Sequence, residues 1–536
     1  MMASSQRSQP HHSRLPFDIR DHIDALLDTA CYPEHPANVT LAETHISCVF
    51  LAGNHVYKLK KPVDFGFVDY STRARRRRFC ELEVTLNRRL ANDIYLGVVP
   101  LVRTREGFRF EAKGVVLDWA VKMRRVPDPA FWSERLRNGS LALPEMDRLA
   151  RFIAAFHERA RRVRSPAVLA QRSRAWDETV ADLERFAGRL FPQALIAEIR
   201  TAGQHYRAWL EPLLQQRLRA GRFVDGHGDL RLEHICEIDG QLQALDCIEF
   251  NTAFRHIDVG SDLAFLLMDL DRNDRRDLAG LLAAIYLRLS GDATLPLCDR
   301  YYRAERALVR AKVDALAWAS STSPEEHQRR GERAERWAQL GATYLSSSTR
   351  PAVLIVRGIS GSGKTTLATR LAIELGWAWL ASDYIRKGVQ RGVQDRHKVE
   401  ISYTPTARHG VYQRMHRIAN SLLVAGYPVI LDATYLDRDA QAEVAALIRR
   451  RATPAFALTL QARPETLHAR LEQRTETLSD ADWSVAATQL ASPTTPFSAH
   501  GIEERSIETE GPIDDTVRRA LAHISSWLHS AGISAS

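Results

Sequence analysis

Short apolar runs typical of β-strands occupy the first part of the chain. They lie at residues 44–51, 56–59, 96–102 and 115–123. The dipeptide Gly53-Asn54 separates the first two runs and is typical of a hairpin turn. One helical pattern, at residues 73–90, interrupts the strands, and from residue 145 to residue 345 the apolar spacing is mostly helical. We therefore expect an α+β domain in which most strands precede most helices.

The apolar pattern changes after residue 350. Short, fully apolar runs then alternate with helical segments, which is typical of buried parallel strands in an α/β domain. The runs lie at residues 352–356, 428–431 and 456–460. Residues 346–350 have the polar composition of a linker and precede Pro351. We expect a disordered tail over residues 1–16, a first domain over 17–345, a linker over 346–350 and a parallel-sheet domain over 351–536.

The composition is that of an ordinary globular protein, with 45% apolar and 26% charged residues among 536. The formal charge of +9 at pH 7 suits a protein that handles phosphates or nucleic acid. Six cysteines without a C-x-x-C pair indicate reduced thiols in a cytoplasmic protein. No apolar run approaches 18 residues, and the polar start lacks the apolar core of a signal peptide, so we expect no membrane span.

Residues 358–365, Gly-Ile-Ser-Gly-Ser-Gly-Lys-Thr, match the phosphate-loop pattern G-x-x-x-x-G-K-[ST] without a mismatch. The motif lies between a predicted strand and a predicted helix, where its glycines let backbone N–H groups surround a phosphate chain. We expect Lys364 to contact the β- and γ-phosphates of ATP and Thr365 to hold Mg²⁺. The predicted nucleotide-binding residues are Gly358, Ser360, Gly361, Ser362, Gly363, Lys364, Thr365 and Thr366.

Other polar residues of the second domain follow predicted strands. Asp432 ends one strand, at the Walker-B-like position for a contact to Mg²⁺, and Asp383 ends another. Residues 351–535 resemble a compact P-loop kinase of the gluconate-kinase, polynucleotide-kinase and zeta-toxin type. The resemblance implies that Asp383 faces the acceptor hydroxyl and that Arg386 binds substrate.

Arg470 and Arg474 lie one helical turn apart on a predicted helix. One hypothesis is a lid helix that presents both arginines to the transferring phosphoryl group, which would make them catalytic together with Lys364 and Asp383. The alternative is a surface helix in an arginine-rich protein, and the sequence favours neither.

A second group of residues with phosphoryl-transfer spacing lies at residues 227–251. Asp229 follows His227-Gly228 on a loop, His234 comes five residues later, and Asp246 ends a strand after a predicted hairpin. An aspartate on such a loop can deprotonate an acceptor hydroxyl, and the later side chains can hold Mg²⁺ on a triphosphate. A lysine-bearing strand and a glutamate-bearing helix precede this group, in the order found in protein kinases.

Residues 35–340 resemble the aminoglycoside phosphotransferase-like branch of the protein-kinase fold, which is bilobal. The resemblance rests on Val56-Tyr57-Lys58, Glu83, His227-Gly228-Asp229-Leu230, Leu245-Asp246 and residues 258–264. It implies that Asp229 is the catalytic base, that Asp246 binds Mg²⁺, and that Lys58 binds the α/β-phosphates and pairs with Glu83. Strand and helix phase leave Lys60 and Glu81 open as alternatives to Lys58 and Glu83.

The first domain departs from the antibiotic kinases at two points. His234 stands where they place an asparagine as second metal ligand, so the number of metal ions is open. The loop that covers the phosphates is reduced to a tight hairpin without G-x-G-x-x-G.

Together the two halves resemble a bacterial family that fuses an aminoglycoside phosphotransferase-like domain with a P-loop kinase-like ATPase. We expect a bifunctional kinase that transfers the γ-phosphoryl group of Mg·ATP to a hydroxyl of a small molecule such as a sugar, metabolite or antibiotic. One alternative is a polynucleotide-end kinase that grips nucleic acid with the arginines of residues 73–78. The other is a P-loop ATPase regulated by a non-catalytic, kinase-like sensor domain.

Overall fold

The computed structural model describes residues 17–66, 68–346, 351–383, 385–386, 405–424, 427–473, 482–492 and 494–533. The chain forms two compact units. The first unit comprises the residues up to Ser140 together with His227–Arg255. The second unit comprises Leu141–Gly226 together with the residues from His256 onward.

An antiparallel sheet of six strands forms the frame of the first unit. In spatial order, its strands are Val39–Glu43, Ser47–Ala52, His55–Lys60, Val115–Arg124, Tyr95–Thr104 and Gly107–Phe110. Ala52 pairs with His55, so the predicted hairpin turn consists of Gly53 and Asn54, and Gly53 adopts a φ of 59°. Alternate side chains of these strands, including Phe50, Tyr57 and Leu59, form a buried core on one face of the sheet.

The helix Arg73–Asn87 packs on this sheet and follows the N-cap residue Thr72, whose hydroxyl accepts a hydrogen bond from the N–H of Arg75. Its buried side chains Cys80 and Val84 share a core with Leu245. The same unit contains a hairpin of the strands Ile235–Ile238 and Gln241–Ala244. It also contains the short helices Ile23–Leu26, Trp132–Arg137 and Thr252–Arg255. The shared core therefore fixes the helix relative to the hairpin that leads to Asp246.

The second unit begins with a helical part, as the apolar spacing predicted. Its helices are Leu143–Arg159, Ala167–Glu184, Gln193–Arg219, Val259–Arg272, Arg276–Ser290, Leu295–Ser320 and Pro324–Leu345. Buried charges join them: Arg217 forms two hydrogen bonds, of 2.8 and 2.7 Å, with Asp258, and His157 lies 3.3 Å from Asp262. None of the helices in the described part of the chain combines the length and the hydropathy that a membrane span requires.

A parallel sheet of five strands completes the second unit and confirms the predicted α/β class. In spatial order, its strands are Ala378–Ala381, Val429–Ala433, Val353–Arg357, Ala455–Gln461 and Glu503–Glu508. The accompanying helices are Lys364–Leu375, Pro405–Val424, Arg438–Arg451, Pro464–Glu472, Trp483–Leu490 and Ile513–Ser530. The central strand is buried along its whole length, and Val356 pairs with Asp432, so both strands end at the same edge of the sheet.

Candidate active sites

Lys58 connects three elements of the first unit through its ammonium group. The Nζ atom lies 2.9 Å from Glu83 Oε1 on the neighbouring helix and 2.6 Å from Asp246 Oδ1 after the hairpin. Burial disfavours the charged form of Lys58, but Asp246 and Glu83 outweigh this effect and raise its pKa well above the ordinary value. The structure thus brings together the lysine, glutamate and aspartate that the sequence singled out.

Lys60 points to the same side of its strand as Lys58 and contacts the other oxygen of the same carboxylate. Its Nζ atom lies 2.7 Å from Glu83 Oε2 and also contacts Glu249 and the hydroxyl of Tyr70. Glu83 therefore receives one lysine on each oxygen, whereas Glu81 lies at the surface and pairs with Arg77. The helix thus directs Glu83, and not Glu81, into the protein interior, where both Lys58 and Lys60 contact it.

Asp246 is held in an unusual backbone conformation beside Lys58. Its φ is 62°, a left-handed conformation that is uncommon outside glycine, and its N–H donates to the hydroxyl of Tyr95 at 3.2 Å. Burial favours the neutral carboxyl, but Lys58 and His234 outweigh it and lower the pKa of Asp246 below its usual range. Asp246 is consequently a charged carboxylate at neutral pH.

The Asp229 loop is fixed by side chains of its own segment. Both carboxylate oxygens of Asp229 accept hydrogen bonds from the Arg231 guanidinium, each at 2.9 Å. His234 Nδ1 lies 2.7 Å from the Asp229 carbonyl oxygen, and its other ring nitrogen, Nε2, lies 3.9 Å from Asp246 Oδ2. Because a carbonyl oxygen can only accept, Nδ1 carries the proton in this arrangement, and Nε2 accepts from Arg231 Nη2 at 3.3 Å on the side of the Asp246 carboxylate.

A divalent cation in the first unit would be held by Asp246, whose ionised carboxylate suits it, with His234 as the second side chain. An imidazole nitrogen is a poorer ligand for Mg²⁺ than the oxygen of an asparagine amide. No group of three or more potential metal-binding side chains occurs among residues that the structure describes. The donor set therefore fits a cation that is also held by a bound triphosphate.

The predicted phosphate loop leaves the central strand Val353–Arg357 and ends at the helix Lys364–Leu375. Gly361 and Gly363 adopt φ values of 87° and 85°, which L side chains rarely adopt. At Gly358, whose φ is 156°, a Cβ atom would lie 2.6 Å from Ser362 Oγ and 3.0 Å from the Leu460 carbonyl oxygen, so a side chain there would strain the loop. Lys364, Thr365 and Thr366 form the first turn of the helix.

Asp432 is buried at the end of the neighbouring strand. Its Oδ2 accepts a hydrogen bond of 3.4 Å from Trp379 Nε1, whereas Oδ1 makes no hydrogen bond of normal geometry within the described residues. Burial raises the pKa of Asp432 to about 6, although Lys364 and Thr365 favour its ionised form. A buried carboxylate oxygen that lacks a hydrogen bond of normal geometry, with the Thr365 hydroxyl close to Asp432, fits a divalent cation.

The side chains that brace the phosphate loop come from distant segments. The N–H of Ser360 donates to Gln489 Oε1 at 2.7 Å. Arg470 Nη1 donates to Thr509 Oγ1 at 3.0 Å and lies 3.5 Å from the Gly361 carbonyl oxygen. In the described conformation, Arg470 thus contacts the loop backbone and the Thr509 segment. Arg474 lies outside the described residues.

Asp383 and Arg386, which follow the strand Ala378–Ala381, form an ion pair with each other. The charge of Asp383 also contributes to raising the pKa of Asp432, so the two carboxylates lie in the same part of the site. Lys364, Thr365, Asp432 and Asp383 therefore surround one edge of the parallel sheet.

Comparison with known proteins places the chain in a family. Residues 353–496, which contain the phosphate loop and Asp432, match the family described as the AAA domain. The uncharacterized protein Rv2004c of Mycobacterium tuberculosis is 31% identical over 493 residues, which cover 90% of this chain and 94% of that protein. This chain belongs to the same family. The uncharacterized protein Mb2027c of Mycobacterium bovis has the same identity and coverage.

Solved kinase structures are similar to parts of the chain. A choline/ethanolamine kinase family protein from Mesorhizobium loti is 14% identical and covers 61% of this chain and 99% of its own, with a TM-score of 0.36. A gluconokinase from Sinorhizobium meliloti is 18% identical and covers 34% and 97%, with a TM-score of 0.27. The bilobal kinase-like fold and the P-loop fold follow from the strand order and contacts described above.

Arg231, Glu249 and Gln489 are among the residues of the two sites that the sequence did not indicate. Lys60 was open only as an alternative to Lys58, although its spacing of two residues along a strand places both on one face. Arg231 lies two residues after Asp229 and could have been noticed as a nearby cation. The contacts of Glu249 and Gln489 depend on tertiary packing, and no local pattern indicates them.

Proposed function

We propose that the chain is an ATP-dependent phosphotransferase with two sites, each of which transfers the γ-phosphoryl group of Mg·ATP to a hydroxyl of a small cytoplasmic molecule. The observation that carries the proposal is the position of Lys58, 2.9 Å from Glu83 and 2.6 Å from Asp246. A degenerate nucleotide site would not need to keep a partly buried lysine between the buried Glu83 and the half-exposed Asp246, since removing charges from water is costly. The second site is supported by the complete phosphate loop and its match to the AAA domain.

In the P-loop site, the backbone N–H groups of residues 358–365 and the Lys364 ammonium would bind the triphosphate. Thr365 and Asp432 would hold Mg²⁺, which supplies charge neutralisation on the phosphate oxygens. Asp383 would orient the acceptor hydroxyl and accept its proton, and Arg386 would bind the acceptor. The preformed loop would lower the barrier by stabilising negative charge without reorganisation.

In the first unit, Lys58 would bind the α/β-phosphates, Asp246 and His234 would hold Mg²⁺, and Asp229 would accept the proton of the acceptor hydroxyl. Arg231 now occupies both oxygens of Asp229. A guanidinium so placed favours the ionised carboxylate, and it must yield one oxygen when the acceptor hydroxyl arrives. Arg231 is then close enough to the acceptor to stabilise the developing charge.

The same Arg231 contact favours a second candidate function, a non-catalytic sensor that regulates the P-loop site. If the bidentate pair persists with nucleotide bound, Asp229 cannot serve as a base. The domain would then bind Mg·ATP through Lys58 and Asp246 without turnover.

The contacts of the arginine-rich helix do not support a polynucleotide-end kinase. Arg76 is buried against Asp118 at 2.8 Å, Arg75 pairs with Asp69, and Arg77 pairs with Glu81. Arg76 is therefore part of the core, and the charges of Arg75 and Arg77, although exposed, are offset by neighbouring carboxylates, which weakens the row of positive charges that a nucleic-acid backbone would bind.

The test is ATP turnover with pooled sugars, nucleosides, aminoglycosides and RNA ends for the wild type, Asp229→Ala and Lys364→Ala. We expect each variant to lose a different acceptor-dependent activity by about 10²-fold or more. If only Lys364→Ala reduces turnover, the first unit is a sensor. If neither variant changes any acceptor-dependent activity, the proposal is wrong.

A further inference from the structure

Lys60 belongs to a buried charge cluster that extends beyond the predicted nucleotide contacts. The cluster consists of Lys58, Lys60, Glu83, Asp246 and Glu249. Lys60 is 1% exposed, Glu83 is fully buried and Glu249 is 6% exposed. Two ammonium groups thus face three carboxylates, of which Asp246 is half exposed to solvent.

The two lysines differ in what they contact. Lys58 reaches Asp246, which is half exposed, whereas Lys60 contacts Glu249 and Tyr70, which are buried. Burial disfavours the charged form of Lys60, but Glu249 and Glu83 raise its pKa well above the ordinary value, so it remains an ammonium. Lys60 therefore compensates the buried carboxylates Glu83 and Glu249, whereas Lys58 also contacts the half-exposed Asp246.

Tyr70 reinforces the contact between Lys60 and Glu249. Its hydroxyl donates to Glu249 and lies 3.3 Å from Lys60 Nζ. Glu249 follows Asp246 by three residues, so this pair anchors the segment that carries the predicted metal ligand. The cluster ties strand, helix and post-hairpin segment together even without Lys58.

We propose that Lys60 is a positioning residue that neutralises Glu83 and Glu249 and so leaves Lys58 available to nucleotide phosphates; this rests on nucleotide binding by the first unit. Without Lys60, Glu83 has only the Lys58 ammonium to pair with, and Glu249 keeps only the Tyr70 hydroxyl. Lys58 is then held more tightly inside the protein, and its attraction for a triphosphate falls. The acceptor and the base Asp229 are not involved in this effect.

The experiment measures the Kd of Mg·ATP by calorimetry in the full chain carrying Lys364→Ala, so that binding reports the first unit. We expect Lys60→Met to weaken binding about tenfold. Adding Glu249→Gln, which removes the carboxylate that Lys60 neutralised, is expected to restore the Kd to within about threefold. Lys61→Met is the matched control, because Lys61 pairs with Glu43 away from the cluster, and it is expected to change nothing.

Each other outcome has a distinct meaning. Unchanged binding by Lys60→Met, or a further loss on adding Glu249→Gln, overturns the positioning role while the first-unit nucleotide site stands. If Lys60→Met does not fold, the double variant must recover the folded state and the Kd, and its failure to do so overturns the inference. Absence of nucleotide binding by the Lys364→Ala parent removes both the inference and the proposed first-unit site.

Discussion

Glu83 is the carboxylate that both buried-side lysines of the first unit, Lys58 and Lys60, share as a counter-charge. Each of its oxygens contacts one lysine, at 2.9 and 2.7 Å. Burial raises the pKa of a carboxyl, but Lys58 and Lys60 outweigh it and lower the pKa of Glu83. Its charge is therefore needed to compensate two ammonium groups in a poorly hydrated place.

Replacing Glu83 with glutamine is expected to lower the free energy of unfolding by about 3 kcal/mol or more, because two buried lysines lose their shared counter-charge. Urea unfolding monitored by tryptophan fluorescence measures the change. The control is Glu81→Gln on the same helix, where a surface pair with Arg77 is lost at a cost below about 1 kcal/mol. Equal effects of the two substitutions would contradict the structure.

His416 gives the second unit a dependence on pH. Burial, with a smaller effect of His409, lowers the pKa of His416 to about 4, although Glu443 lies 3.5 Å from its Nδ1. The groups that face the ring are Glu443 and Tyr435, whose hydroxyl lies 3.2 Å from Nε2. The pKa is lower in the folded than in the unfolded state, so the unfolded chain binds the proton more readily.

The contribution of neutral His416 to the free energy of unfolding is therefore fully present above pH 6.5. The free energy of unfolding is expected to fall, by up to about 3 kcal/mol, as the pH drops to 4. Urea titrations at several pH values measure this slope. His416→Gln removes the titrating group and should flatten the profile over this range. An unchanged slope in the variant would show that other groups cause the acid sensitivity.

Only some of the side-chain contacts in the first unit could be predicted from the sequence. The resemblance to the aminoglycoside phosphotransferase-like family selected Lys58, Glu83 and Asp246, whereas strand and helix phase alone left Lys60 and Glu81 open. The choice between Lys58 and Lys60 could not be made, because both lie on one face and both reach Glu83. The Arg231 contact with Asp229 depends on side-chain conformation within the loop, which spacing does not determine.

Among the elements, the helix Trp483–Leu490 has a direct contact with the phosphate loop. Gln489 accepts the Ser360 N–H at 2.7 Å across 129 residues of sequence. Its amide oxygen thus occupies the side of the loop where phosphate oxygens are expected. Only the folded chain brings these residues together, so the sequence could not indicate the contact.

Gln489→Glu is expected to weaken Mg·ATP binding at the P-loop site about tenfold, because a carboxylate beside the loop repels the triphosphate. Calorimetry on a chain carrying Lys58→Met isolates that site. Gln489→Ala, which removes the contact without adding charge, should keep the Kd within about threefold. A Kd unchanged by the glutamate would mean that the helix does not approach the bound nucleotide.

Secondary structure was predictable where one signal dominated. The helix from Arg73 and the hairpin at Gly53-Asn54 were confirmed because a cap and a turn dipeptide mark them. The sequence predicted that this helix ends at residue 90, whereas in the structure it ends at Asn87, since helix ends depend on local packing. The apolar runs at residues 352–356, 428–431 and 456–460 predicted three strands of the parallel sheet, because strands buried on both faces form continuous apolar runs. The edge strand Glu503–Glu508 is mostly charged and exposed, so it gave no such signal.

At the scale of the whole molecule, the order of motifs predicted two kinase-like folds, and the structure contains both. The compact units nevertheless do not follow that order, because the helices after Leu141 share a unit with the P-loop sheet. Within this unit the helix Arg276–Ser290 packs on the helix Lys364–Leu375, where Gly280 lies beside Arg370. The predicted boundary at 346–350 stays a prediction, since residues 347–350 lie outside the described part of the chain.

The presence of two nucleotide sites in one chain can be tested by the number of Mg·ATP molecules that each chain binds. Calorimetry is expected to give two sites for the wild type, one for Lys364→Ala and one for Lys58→Met, with the remaining site unchanged in affinity within about threefold. The substitutions remove the phosphate-binding ammonium of one site each and leave the other untouched. One site in the wild type that Lys364→Ala abolishes would contradict the claim that the first unit binds nucleotide.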